Sequence, residues 1–247
     1  MNAVTTANAT QNAKKEIREN GFSVIEGIYD DSEIQQLLSA IENVDTSGET
    51  FRKSANLFAI RQFLKEIPET LPLIFTDKLK HIIKEICGES CFVVKSIFFD
   101  KPGESNWFVA YHQDLTISVA KRIETENFGP WTVKQGQFAV QPPLDILEDI
   151  FTIRIHLDEA NENNGALKVI EKSHSKGIYR PETIDWQKEK EITCNVPKGG
   201  IMLMKPLLLH SSGRTTNNAR RRVIHIEFSN KKLPGNLQWS EKTVIPC

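Results

Sequence analysis

The sequence predicts a mainly β domain with flanking helices, an antiparallel sandwich or jelly roll behind an N-terminal helical layer. Three observations carry this. From about residue 91 the chain becomes a series of short β-rich segments, among them CFVVKSIFFDK, DIFTIRIHLDE, GALKVIEKS and RRVIHIEFSN. Between them lie Pro-Gly, Asn-Asn-Gly, Pro-Lys-Gly-Gly and Ser-Ser-Gly, which are turn signals. After that point no helical pattern follows each strand, as a layered parallel sheet requires.

Taken in order, residues 1–13 are rich in Asn, Thr and Ala and read as a disordered tail. AKKEIRENG reads as a short helix that Gly21 ends, and FSVIEGIY as a strand. DDSEIQQLLSAIENV is the clearest helix, with an Asp-Asp-Ser cap region and Ile34, Leu37, Leu38 and Ile41 at helical spacing. IRQFLKEI and LPLIFTDKLKHIIKEICG read as two more helices, the second ending near Gly88. The expected organisation is one domain over 14–247, with a helical layer over 14–90 and a β core over 91–232.

The composition bounds the function. The 247 residues fit one large domain, and the formal net charge of −1 provides no field for holding nucleic acid or an anionic membrane. The polar N-terminus shows no apolar signal region, and no run reaches the length of a membrane span. Four scattered cysteines, Cys87, Cys91, Cys194 and Cys247, suit neither a zinc site nor a disulfide framework. A cytoplasmic protein with reduced thiols is the expectation.

In AYHQDLTISV, alternation along a strand puts His112 and Asp114 on one face. An imidazole and a carboxylate converging from one segment suit a divalent ion such as Fe(II) or Mn(II). Alone, this His-x-Asp is common by chance and reads equally as a local hydrogen bond in a half-buried strand. Of the remaining histidines, His81 and His174 read as surface or loop residues, and His156 and His225 lie inside strand patterns. His210 closes the apolar run MLMKPLLLH beside the Ser211-Ser212-Gly213 turn, and Arg221 opens the last strand.

His-x-Asp, a distant His and then an Arg at the start of a strand is the pattern of Fe(II)/2-oxoglutarate oxygenases. The chain resembles the phytanoyl-CoA dioxygenase family over nearly its whole length. IRENGFSVIEGIYDDSEIQQLLSAI is similar to the family's opening strand and helix, and FFDKPGESNWFVAYHQDLT to its lead-in to the metal motif. IHLDEANENNGALKVIEKSH is similar to its Leu-Asp…Asn-Gly-x-Leu segment, and HSSGRTTNNARRRVIHIEFS to its C-terminal His…Arg strand pair. The resemblance implies a double-stranded β-helix core, cupin-like in architecture. It implies His112, Asp114 and His210 as iron ligands. Arg221 would hold the distal carboxylate of 2-oxoglutarate, with Ser212 donating a hydroxyl to it. Arg220 and Arg222 rank lower because alternation turns them to the opposite face.

Arg154 stands where the family often carries an aromatic residue near the cosubstrate. Alternation in FTIRIHLD places Thr152, Arg154 and His156 on one face and Ile153, Ile155 and Leu157 on the other. Two roles stay open for Arg154: binding a carboxylate of cosubstrate or substrate, or pairing with Glu227. The insertion over 121–149 is expected as an active-site lid, with Trp131, Gln141 and the inward His156 as candidate substrate residues. A surface flap packing on the helical layer is the other reading of that segment.

The activity implied is hydroxylation of an unactivated C–H bond of a small molecule, with Fe(II), 2-oxoglutarate and O2 consumed to succinate and CO2. Asp114 argues against halogenation, because halogenating relatives carry a small residue there. An acyl-CoA 2-hydroxylase is the substrate variant. A non-catalytic jelly-roll binding protein and a cupin-type isomerase or hydrolase are the alternatives from other classes.

Overall fold

The computed structural model describes residues 3–43, 51–53, 58–103, 108–134 and 136–245. Its centre is a large antiparallel sheet. In spatial order this sheet runs β1 (Phe22–Ile25), β12 (Ile201–Met204), β9 (Phe151–His156), β14 (Arg221–Ser229), β4 (Phe92–Lys101), β3 (Phe58–Arg61) and β2 (Phe51–Lys53), with β15 (Thr243–Val244) also on β4. A smaller sheet runs β11 (Glu191–Cys194), β10 (Leu167–Ile170), β13 (His210–Ser212) and β5 (Val109–His112). From β9 onward the chain crosses between the two sheets, from β9 to β10 and β11, back to β12, over to β13 and back to β14, as in a jelly roll. A third sheet, β6 (Ile117–Val119), β8 (Gln137–Val140) and β7 (Trp131–Lys134), extends from one end.

Alternation decides what each face of the large sheet meets. Ile153, Ile155, Ile201, Leu203, Ile224, Ile226 and Phe228 join the core formed with the helices. The helices are α1 (Ala3–Asn20), α2 (Asp31–Glu42), α3 (Phe63–Glu66), α4 (Leu71–Ile74), α5 (Asp77–Cys87) and α6 (Leu144–Asp149). All but α6 contribute to that core. In α2 the buried stripe is Ile34, Leu37, Leu38 and Ile41, and Asp30 and Glu33 close a reciprocal capping box at 2.8 Å in each direction. The opposite face of the sheet carries Arg154, Arg221, Val223 and His225 toward the smaller sheet, and this face builds the site.

Four expectations are corrected. The first helix begins at Ala3, so most of the expected tail is ordered: Thr10, Ala13 and Ile17 are buried, and α1 packs on β1 and α5. Tertiary packing outweighs the weak helical propensity of its Thr and Asn residues. Gly21 ends α1 as expected, with φ of 89°, and a Cβ there would lie 2.5 Å from His174 Nδ1. Met1, Asn2 and Val44 lie outside the described residues. IRQFLKEI is a strand end followed by one helical turn, because Ile60 and Arg61 pair with Phe98 and Ile97 of β4.

The helix expected over LPLIFTDKLKHIIKEICG is two helices. Thr76 is extended at ψ 160° and caps α5 through its hydroxyl, which accepts from Leu79 N. Finally, Cys87 and Cys91 form a disulfide. Gly88, with φ of 93°, turns the chain so that the two Cα atoms lie 5.8 Å apart, and only Cys194 stays a free buried thiol among the described residues. The reading of all four cysteines as reduced therefore does not stand. Among the described residues no helix is long and apolar enough to cross a membrane.

Candidate metal centre and cosubstrate pocket

β5 and β13 are neighbours in the smaller sheet, in a register that sets His210 opposite His112. Asp114 lies two residues past the end of β5 and is fixed by its N–H, which donates to Pro206 O at 2.9 Å. The residue between, Gln113, points away. Its amide donates to Leu207 O and Gly177 O and accepts from Tyr179 N, so it pins the His-x-Asp segment to the loops behind. His112 Nδ1 is 2.9 Å from Ala110 O, and His210 Nδ1 is 2.8 Å from Leu208 O. With each Nδ1–H donated to a carbonyl, each Nε2 presents its lone pair. Both Nε2 atoms stand 3.9 Å from an Asp114 carboxylate oxygen, and the three donor atoms lie within 4.8 Å of one another.

Two tautomer-fixed imidazoles and one carboxylate on one side of a cavity are the donor set of a non-haem Fe(II) site with open positions, so the residues fit the metal. Burial alone would raise the Asp114 pKa. The neighbouring His210, Lys95, His225 and His112 outweigh it and hold Asp114 ionised, far below the usual carboxylate range. Burial pushes His210 down to about 4, so its imidazole is neutral at neutral pH.

The cavity beside these donors has a volume of about 260 Å³. One wall comes from two adjacent strands read at every second residue: Lys95, Ile97, Phe99 and Lys101 of β4, and Arg221, Val223 and His225 of β14. Arg221 is 8% exposed. Its Nη2 donates to Ser212 Oγ at 3.2 Å, while Nε and Nη1 have no partner. Burial first, then the Arg154 charge, bring its pKa down to about 9. The flanking arginines are turned outward and paired: Arg220 grips Asp100 through two nitrogens, and Arg222 grips Asp158 at 2.8 Å through two. Ser212 is beside Arg221, but its hydroxyl donates to Gly165 O at 2.9 Å rather than into the cavity. Lys101 donates to Gly213 O at 2.6 Å, and burial followed by the Arg221 charge lowers its pKa to about 8. This wall requires glycine at 165, since a Cβ there would lie 2.7 Å from Lys101 Nζ and 2.6 Å from Gly213 O.

Arg154 also lines the cavity, but it does not pair directly with Glu227. Its Nη1 donates to His225 Nδ1 at 3.1 Å, His225 Nε2 is 3.1 Å from Glu227 Oε1, and Glu227 receives Lys95 Nζ at 2.7 Å. This relay crosses β9, β14 and β4. It engages both nitrogens of His225, so the Asp114, His225 and Glu227 donors, though also close together, are not a free cation site. His156 is buried with both ring nitrogens unpartnered, and burial with the charges of Arg154 and Arg221 keeps it neutral.

Trp131 and Gln141 are not brought to the cavity. The 121–149 insertion forms β7, β8 and α6, whose Trp131, Phe138, Val140 and Leu147 pack with Phe92, Leu237 and Trp239. Gln141 ties the insertion to itself, accepting from Gly129 N at 2.9 Å. Lys95, Lys101 and His225 are cavity residues that sequence reasoning missed. The period-two sets in KSIFFDK and RVIHIE were the available signal.

Comparison with known proteins agrees with this geometry. The family model described as phytanoyl-CoA dioxygenase (PhyH) matches residues 17–223. A Caenorhabditis elegans phytanoyl-CoA dioxygenase domain-containing protein 1 homolog is 26% identical, over 81% of this chain and 67% of its own. A probable alpha-ketoglutarate-dependent hypophosphite dioxygenase of Stutzerimonas stutzeri is 20% identical, over 87% of this chain and 77% of its own. Among solved structures, the non-heme alpha ketoglutarate dependent epimerase SnoN from nogalamycin biosynthesis superposes with a TM-score of 0.68 at 14% identity, covering 98% of this chain and 96% of that one. That likeness shows the shared fold. The chain belongs to the phytanoyl-CoA dioxygenase family, as a 2-oxoglutarate-dependent dioxygenase that uses Fe(II) and O2.

Proposed function

We propose that the protein hydroxylates an unactivated C–H bond of a small molecule, with His112, Asp114 and His210 holding Fe(II) and Arg221 holding the distal carboxylate of 2-oxoglutarate. The observation that carries this is Arg221 itself. A buried guanidinium with two N–H groups unpartnered, in the same cavity as the His-Asp-His donors, is a fork waiting for a carboxylate. Bound there, Fe(II) with 2-oxoglutarate supplies oxygen activation and the oxidising equivalents, leaving succinate and CO2. The chain's own work is positional. The Nδ1 hydrogen bonds aim the imidazoles, Lys101 and Ser212 flank the guanidinium, and Ile97, Phe99, Val109, Leu167 and Val223 keep the cavity walls apolar.

A metabolite-sized substrate fits better than an acyl-CoA. The volume lies just under the range of ~300–1,000 Å³ typical of drug-sized ligand sites. The outward arginines beside the cavity strand are not free for a CoA phosphate, since Arg220 is engaged by Asp100 and Arg222 by Asp158. The test is succinate formation from 2-oxoglutarate by anaerobically iron-loaded protein on admission of air, beside His210→Ala. Iron-dependent succinate that the substitution abolishes is expected. Equal succinate from both proteins would sink the metal assignment.

A further inference from the structure

We infer that the primary substrate carries an oxyanion, a carboxylate or a phosphoryl group, and that Arg154 grips it beside the metal ligands. The inference rests on the oxygenase reading and names the substrate class that reading leaves open.

The argument is one of charge. Four cationic side chains line the cavity: Lys95, Lys101, Arg154 and Arg221. Among the described residues two carboxylates answer them, Asp114 in the wall and Glu227 behind it. The side chains alone therefore leave a surplus of two positive charges. Loading the site does not change this, because a divalent metal and a dianionic cosubstrate cancel. Uncompensated charge in a site of this burial is expensive, so a ligand of opposite sign is what such a cavity selects.

The surplus can be placed. Lys95 is matched to Glu227 at 2.7 Å. Arg221 faces the distal carboxylate of the cosubstrate, and Lys101 stands in the same wall, beside Gly165, Ser212 and Gly213. Arg154 remains. It is 8% exposed, no carboxylate among the described residues lies within ion-pair distance, and its Nε has no hydrogen-bond partner. The relay through His225 to Glu227 holds the guanidinium in one orientation. It lines the same cavity as His112, Asp114 and His210, the end where the reacting part of a substrate must lie. The cationic, inward-facing side chain is thus fixed in position with donor capacity left over.

The test uses the full chain, loaded with Fe(II) and saturating 2-oxoglutarate without oxygen. The visible metal-to-cosubstrate band reports cosubstrate affinity, and calorimetric titration with acetate, inorganic phosphate or neutral acetamide reports the anion site. Acetate or phosphate is expected to bind saturably and acetamide not, and the better of the two anions tells carboxylate from phosphoryl. Arg154→Gln should weaken anion binding tenfold or more while changing the 2-oxoglutarate affinity by less than threefold, and Arg154→Lys should recover part of the loss. No saturable anion binding, or binding indifferent to both substitutions, would overturn the inference. So would a tenfold loss of 2-oxoglutarate affinity in Arg154→Gln that lysine restores, since Arg154 would then serve the cosubstrate. If the visible band never forms, the oxygenase reading has failed, and the same titrations on the unloaded chain judge Arg154 by the same criteria. Arg154→Lys preserves the test should the glutamine variant not fold.

Discussion

Replacing Arg221 with methionine should make the unliganded protein more stable while impairing its hold on 2-oxoglutarate. The guanidinium is buried, with a single partner at 3.2 Å, and its pKa is brought down to about 9. That is roughly three pH units or more below an ordinary arginine, and at about 1.4 kcal/mol per unit the cost of keeping it charged at pH 7 is about 4–5 kcal/mol as an upper bound. The sign follows from the direction. For a base whose folded pKa is depressed, the penalty is fully present below about pH 9 and fades only as pH rises toward the unfolded value. Methionine keeps most of the volume and removes the charge. Buried charges replaced by apolar side chains have returned roughly 1–4 kcal/mol, and at about 2–4 °C per kcal/mol for a chain of this size the melting temperature should rise by several degrees. In wild type, 2-oxoglutarate at a hundred times its Kd adds about 2.7 kcal/mol of stability, and the variant should lose nearly all of that protection. The assay is a pair of thermal melts on metal-loaded protein, with and without 2-oxoglutarate. A variant that melts below wild type in the unliganded state, or is still protected by 2-oxoglutarate, would refute the reasoning.

Three further outcomes are expected. Arg222→Met removes the two-nitrogen grip on Asp158 and should leave the 2-oxoglutarate Kd within about twofold, since that side chain faces away from the cavity; a tenfold loss by the visible-band titration would contradict the assignment of faces. The Lys101 ammonium, with a pKa of about 8, is present below that pH and lost above it, so 2-oxoglutarate affinity should be flat below pH 7 and weaken roughly three- to fourfold by pH 8.5. Lys101→Met should bind more weakly at pH 7 and show no such trend, and an identical trend in the variant would exclude Lys101 as its source. Trp131→Ala removes a half-buried ring from the cluster with Phe92 and Trp239, so it should lower the melting temperature by several degrees, consistent with a loss of roughly 1–3 kcal/mol. Succinate formation per folded molecule should not change, and a selective loss of turnover at unaltered stability would restore the lid reading.

Where one strand's alternation was enough, the site was legible in the sequence. The inward turn of Arg221 between two outward arginines followed from period two, as did the turn of Ile153, Ile155 and Leu157 to the helix side and of Arg154 to the cavity, although Thr152 and His156 are buried without lining it. His210 stood out because a histidine ending an apolar run beside a turn sits where a strand meets a cavity. What escaped depended on which strands become neighbours. Lys95 and Lys101 look like the ordinary polar residues of KSIFFDK until β4 is seen lying against β14, and His225 gains its role only from Arg154 on β9. The Cys87–Cys91 bridge and the helix begun at Ala3 were hidden for a related reason. The first needs the Gly88 turn, and the second needs β1 and α5 to lie against it.

The two sheets divide the site between them. His112, Asp114 and His210, the proposed metal donors, hang from β5 and β13, while Arg221, Lys101 and the Arg154 relay belong to β4, β9 and β14. A cosubstrate seated with one end on the metal and the other on Arg221 is therefore a crosspiece, tied to both walls of the barrel at once. Amide hydrogen exchange in β5 and β13 should accordingly slow when the crosspiece is in place and quicken when it leaves, so that each turnover is registered as a change in how firmly one wall is held to the other.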